Sequence, residues 1–254
     1  MSTMIDNITI IIPIVSLETD GEKEYLKKAL QSIINQNDSC IPKNVLIVHS
    51  EEFDSETEAS FANYNLNIKT IKNLSENPTI SNQLNFGVDN IETDYFSYLE
   101  FDDEYSKIYF KNALTYLESI DELSILLTLG IDKNENGDIL KYNNEISFSK
   151  ELNEVGGELT HSGLLKMPYF TLSGAIFKKS DFIDIGKFKS NIKYTFFYEY
   201  LLRATDQCQK IVTLPKIGYV HTVNRSGSFS DKVSNDKTLT KEEMTFWYEA
   251  AKRE

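Results

Sequence analysis

Residues 8–15 read Ile-Thr-Ile-Ile-Ile-Pro-Ile-Val, an apolar, mostly β-branched run with almost no polar alternation. A strand of this kind has both faces covered, as in parallel sheets wrapped by helices. Pro13 has no amide proton for a neighbouring strand, so it limits pairing and marks the strand's end. After the polar stretch 16–22, Tyr25, Leu26, Ala29, Leu30, Ile33 and Ile34 recur at helical spacing, which predicts an amphipathic helix over 23–35.

The pattern then repeats. Buried strands are predicted at 44–48, 67–71 and 95–101, separated by helices at 51–64 and 80–88. Strand and helix in alternation specify an α/β fold with a doubly wound sheet, in which ligands bind beyond the carboxyl ends of the strands. Those ends are at 13–16, 49–51 and 100–103. Downstream, a helix over 109–119, a strand over 124–129 and a hairpin tip over 132–138 are predicted. The polar stretch 143–165 gives no periodicity, and an apolar segment covers 169–178. Helices follow at 180–185, stopped by Gly186, and at 196–205. Strands are expected at 210–214 and 217–223. A loop spans 227–238, and Thr240 with Glu243 reads as the cap of a last helix running to 252.

Charge narrows the partners. The chain carries 39 acidic against 26 basic side chains, a formal net charge of −13. Such an excess argues against nucleic acid, whose binding rests on phosphate neutralisation, and against docking on anionic lipid by bulk charge. It leaves room for one phosphate-bearing ligand held through a metal. Cys40 and Cys208 lie far apart without metal-ligand spacing, so a reducing compartment is expected. No apolar stretch reaches the roughly 18 residues of a membrane span, and residues 1–7 lack the features of a signal peptide, so a cytoplasmic protein is expected. Neither GxxxxGK[ST] nor GxGxxG occurs, and His161 with Ser162 has no third member of a hydrolase triad in any recognisable order.

Several stations, in order, resemble family 2 glycosyltransferases. They are the opening strand and helix; Ser81, Asn85 and Gly87 in the stretch 80–88; Glu100-Phe101-Asp102-Asp103, similar to the family's Asp-x-Asp-Asp; the segment 171–180; the helix around Phe197–Arg203; and the late loop 221–230. The last helix resembles glycosyltransferase-like proteins of large tailed phages, which would place the chain in a host cytoplasm or with a virion. The resemblance implies a GT-A fold with a mixed central sheet flanked by helices, over residues 1–235, followed by a C-terminal helix at 236–254. It implies a nucleotide-diphosphosugar donor, a glycan or other hydroxyl acceptor and a divalent cation, Mn2+ or Mg2+.

Site residues follow from the same resemblance. Asp102 is the implied metal ligand, with Asp103 supporting the loop; alternation would put Glu100 and Asp102 on one face of a strand. The alternative for these acids is a solvated turn. His221 completes the metal shell or is a structural histidine. Pro13, Ile14, Val15, His49, Ser50, Asn85, Glu100, Phe101 and Arg225 are implied donor contacts, and Ser228 also suits a phosphate oxygen. Glu199 is the candidate general base; its alternative is an ion pair with Arg203 four residues on.

Departures from the family are equally specific. Leu84 stands where the family has arginine, His49-Ser50 where it has an acidic pair, and Phe196-Phe197 where the pair carrying the base falls. Two functions therefore follow. One is a metal-dependent, inverting glycosyltransferase. The other is a catalytically degenerate binding or structural protein on the same fold. A nucleotidyltransferase would open with a glycine-rich basic loop, and residues 16–21 are acidic instead.

Overall fold

The computed structural model describes residues 3–17, 19–76, 78–152, 155–223 and 236–252. In chain order the main elements are β1 (Ile8–Ile14), α1 (Asp20–Ile34), β2 (Asn44–His49), α2 (Ser55–Ser60), β3 (Asn67–Lys72), α3 (Ile80–Asp89), β4 (Tyr95–Tyr98), β5 (Glu104–Tyr105) and α4 (Tyr109–Ser119). They continue with β6 (Leu123–Lys133), β7 (Ile139–Asn143), α5 (His161–Lys166), β8 (Ile176–Lys178), α6 (Lys179–Ile185), α7 (Phe196–Asp206), β9 (Lys210–Thr222) and α8 (Lys237–Ala251). The sheet runs β3-β2-β1-β4-β8-β6-β9-β5, with β7 paired to β6. The first four of these are parallel, β8 is antiparallel to both neighbours, and β6 and β9 are parallel again.

Alternation along β1 divides the core. Ile8, Ile10, Ile12 and Ile14 join the apolar side of α1 and α4 on one face, while Ile11 faces the α3 side with Leu84 and Val88. At Gly87 the helix α3 rides directly on the sheet. A Cβ there would lie 2.8 Å from Ile11 Cγ2 and 3.1 Å from Val48 Cγ2. Gly87→Val is therefore expected to destabilise the protein by about 1–3 kcal/mol, read from urea unfolding midpoints.

Several boundaries differ from the sequence expectation. α1 starts earlier because Thr19 caps it: the Thr19 hydroxyl accepts from Glu22 N at 3.2 Å and the Glu22 carboxylate accepts from Thr19 N at 3.0 Å. The strand expected over 95–101 stops at Tyr98. The strands expected at 210–214 and 217–223 are one, β9. The last helix begins at Lys237, and the Thr240 hydroxyl bonds Asp236 O within it rather than capping it. Glu243 faces outward from that helix instead. Its carboxylate accepts from Lys193 N, Tyr194 N, Thr195 N and Thr195 Oγ1, each at 3.0 Å, and so ties α8 to the start of α7. Among the described residues, no helix is long and apolar enough to cross a membrane.

Candidate functional site

β4 ends beside β1, and Leu99 N still donates to Ile11 O at 3.1 Å. The chain then turns: Asp103 N donates to Glu100 O at 3.1 Å, and β5 returns antiparallel to β9 with Glu104 opposite Val220. This turn replaces the strand alternation expected for Glu100 and Asp102. It brings Glu100 and Asp103 together beside His221 of β9, and donor atoms of these three residues lie within 4.8 Å of one another.

Asp103 is the pin of the arrangement, with 0% exposure. Its Oδ2 accepts from the Tyr219 hydroxyl at 2.7 Å and its Oδ1 from Thr222 N at 2.8 Å. Glu100 N donates to the Tyr219 oxygen at 3.1 Å, and Glu100 Oε1 accepts from Ser173 Oγ at 3.0 Å. His221 Nδ1 meets Asp132 Oδ1 at 3.3 Å, which leaves Nε2 for another contact. A quarter of the His221 side chain, 26%, stays exposed.

Burial pushes the Asp103 carboxyl well above its usual range; the charges of Glu100 and Asp102 add to that, and His221 opposes it. Glu100 is also raised, by burial and then by Asp102, against His221. For His221, burial alone would lower the pKa. The charge of Asp103, the Asp132 hydrogen bond and the charge of Glu100 override it and push the value up to about 10. Buried acids of like charge need a positive neighbour, and here the imidazolium provides one. Carboxylate oxygens with one imidazole are also a donor set that suits a hard divalent cation.

Asp102 stands outside the group of three. It borders a cavity of about 110 Å³ shared with Lys28, Lys133 and Thr222. Phe101 packs at the margin of the core on the α1 side. Pro13 and Ile14 pair with Val48 and His49 at the ends of β1 and β2, and Val15 follows directly. Gln83 straps these ends together, donating from Nε2 to Ile14 O at 3.2 Å and to Ser50 Oγ at 2.5 Å. His49 Nδ1 bonds Glu51 O at 2.7 Å, and its ring lies 4.5 Å from that of Phe53.

Other expected residues are placed elsewhere. Asn85 donates to Phe188 O at 2.7 Å and accepts from Phe188 N at 3.1 Å, so it fastens α3 to the segment after α6. Glu199 accepts from Arg203 Nε at 2.6 Å and Nη2 at 3.0 Å, and pairs with Lys189 at 2.7 Å. Leu84 and Phe196 are core residues, and the Phe197 ring meets Tyr98 at 5.8 Å. Arg225 and Ser228 lie outside the described residues. Sequence reasoning missed Tyr219, Asp132 and Ser173. The first was findable, since Tyr219 and His221 are two apart in one strand and share a face.

Glycosyl transferase family 2 matches residues 9–186 of this chain. A search of curated protein sequences gives no match. Among solved structures, S. aureus TarS 1-349 in complex with UDP-GlcNAc aligns with a TM-score of 0.65 at 18% identity, covering 88% of this chain and 60% of that one. The mannosyltransferase PcManGT from Pyrobaculum calidifontis, in complex with GDP-Man and Mn2+, aligns with a TM-score of 0.65 at 13% identity, covering 92% and 61%. S. aureus TarS aligns at 0.62 and 19% identity, covering 85% of this chain and 36% of that one. The chain thus spans between 36% and 61% of the length of these structures. The likeness is one of fold: the mixed sheet of GT-A glycosyltransferases flanked by helices.

Proposed function

The chain belongs to glycosyl transferase family 2, and we propose that it binds a nucleotide-diphosphosugar with a divalent cation, Mn2+ or Mg2+, and passes the sugar with inversion to a hydroxyl acceptor. One observation carries this reading: Glu100, Asp103 and His221 converge where β4 ends, beside a cavity bordered by Asp102. Asp103 is sealed and its oxygens are held by Tyr219 and Thr222, so its role is to shape the turn. Glu100 and His221 would hold a cation in reach of a ligand, and Asp102, from the neighbouring cavity, would complete its shell. Such a cation supplies countercharge to a diphosphate leaving group.

The chain's own residues do the rest. Pro13, Ile14, Val15 and Ser50, at the carboxyl ends of β1 and β2, would line the donor's side, with Gln83 fixing their spacing. His49, whose Nδ1 is engaged by Glu51 O, keeps Nε2 as an acceptor for an N–H edge of a nucleobase. UDP-GlcNAc and GDP-Man, found with the two similar structures, are the donors to try first. In calorimetry with Mn2+, the wild type is expected to bind one of them saturably. Asp102→Asn is expected to weaken that binding about 30-fold or more, about 2 kcal/mol, with its melting temperature preserved. Equal affinity in both proteins, or binding indifferent to Mn2+, would remove the cation from the proposal.

A specific observation favours a second function, donor binding without transfer. Inversion needs a base near the acceptor hydroxyl. α7 presents the Phe197 ring toward Tyr98, and the carboxylate of its first turn, Glu199, is already paired with Arg203 and Lys189. Saturable donor binding with no turnover above the uncatalysed rate, over a range of acceptors, decides for it.

A further inference from the structure

A hollow of about 790 Å³ opens between α8, α7 and the segment after α5, within the size range of small-molecule sites. Its walls include Tyr169, Tyr198, Met244 and Tyr248, with Lys237 and Lys241 on one turn of α8. Tyr169, 73% exposed, presents its ring at the edge of the hollow. Tyr198 is only 4% exposed, yet its hydroxyl has no hydrogen-bond partner among the described residues. The ammonium groups of Lys237 and Lys241 make no ion pair or hydrogen bond among the described residues, in a chain of net charge −13, and face one acidic wall residue, Glu249.

The helix that forms one wall is anchored on its other sides. Glu243 is bonded to the start of α7, and Lys189, the partner of Glu199, lies 4.9 Å over the Trp247 ring. The hollow is thus a framed space and not a gap under a loose terminus. One side-chain step separates its wall from the candidate site: Tyr198 is followed back along α7 by Phe197, whose ring lies 5.8 Å from that of Tyr98 at the end of β4.

We propose that this hollow is the acceptor site and takes a saccharide bearing an anionic group; the assignment rests on the transferase reading above. Sugar rings offer apolar C–H faces to tyrosine rings and hydroxyls to side-chain donors and acceptors. A carboxylate or phosphate on the saccharide gives both ammonium groups a partner. A wholly apolar occupant would strand those lysines and the Tyr198 hydroxyl.

Trp247, the chain's single tryptophan, sits on α8 outside the walls of the hollow, so binding is read by calorimetry. The full chain, without donor, is titrated with tetragalacturonate, glucose 6-phosphate, neutral maltotetraose and the apolar dye ANS. At least one anionic saccharide is expected to bind saturably, at concentrations about tenfold or more below maltotetraose. The choice between tetragalacturonate and glucose 6-phosphate tells a carboxylate from a phosphate. Lys237→Glu combined with Lys241→Glu should erase that preference while the melting curve is retained. The proposal is overturned if no saccharide saturates, if ANS alone does, if neutral and anionic saccharides bind alike, or if the double variant binds as the wild type does. Calorimetry with Mn2+ and nucleotide-sugar on the same samples separates the two ideas. Donor binding without saccharide binding sinks the hollow and leaves the transferase standing. Saccharide binding without donor binding removes the acceptor role together with the transferase.

Discussion

Arg203→Ala is expected to lower stability by about 3–5 kcal/mol, the cost of leaving one member of a buried ion pair alone. The Glu199 side chain is 3% exposed and receives two guanidinium hydrogen bonds, at 2.6 and 3.0 Å. The same guanidinium donates to the carbonyls of Ile185 and Lys187, so its removal also orphans two backbone acceptors at the end of α6. Lys189, at 2.7 Å, is the remaining cation, but 42% of its side chain is exposed and it offers no fork to match the carboxylate. Urea unfolding measures the loss. The companion variant Glu199→Gln asks what the carboxylate is for. If it is an anchor, turnover falls only with the folded fraction. A fall of a hundredfold or more, about 2.7 kcal/mol in the barrier, at unchanged stability would make Glu199 the base after all.

The same pair shows what was legible in the sequence. Spacing of four on a helix made Glu199–Arg203 readable, and so was the first half of the sheet, because fully buried parallel strands write continuous apolar runs. Gly87 was legible as a family match and gains its reason from the contact with Ile11 and Val48. Chain reversals were less visible. Glu100 and Asp102 look like alternating strand residues, and only the hydrogen bond from Asp103 N to Glu100 O reveals that the strand has ended. The expected strands 210–214 and 217–223 lie on either side of Pro215 and Lys216. Instead Leu214 pairs with Thr128 and Ile217 with Leu129, so residues 215 and 216 form a bulge that lets β9 pass the proline unbroken. Asn85 matched a family position, but its amide is spent on Phe188, a contact across 103 residues that no local pattern encodes. The stretch 143–165 gave no signal because the helical elements among its described residues, a 3-10 turn at Glu145–Phe148 and the six-residue α5, are too brief to show a period.

Gly174→Ala is expected to be a severely damaging single-methyl change, because it strikes fold and site through one ring. Gly174 has φ +76, in the left-handed region, where a side chain costs about 1–2 kcal/mol. Its Cβ would also lie 2.4 Å from Tyr219 Cδ2 and 3.1 Å from Tyr219 Cβ, and such crowding costs a further 1–3 kcal/mol or so. The backbone cannot yield easily, since Gly174 N donates to Tyr98 O at 3.0 Å and Gly174 O accepts from the buried Tyr109 hydroxyl. Tyr219 must therefore tilt, and its hydroxyl leaves both Asp103 Oδ2 and Glu100 N. A total of about 2–5 kcal/mol corresponds to a melting temperature lower by roughly 5–15 °C for a chain of this size. Affinity for Mn2+ with nucleotide-sugar should fall as well, since the turn that sets Glu100 and Asp102 is released. Tyr219→Phe keeps the ring and removes only the hydroxyl, leaving a buried carboxylate oxygen unpaired at a cost of about 1–3 kcal/mol. If Tyr219 works as the tie between scaffold and acids, the two variants lose cation affinity together while differing in stability. Unaltered melting and unaltered cation affinity in Gly174→Ala would mean that the ring can move without the turn, and that Asp103 holds its place through Thr222 alone.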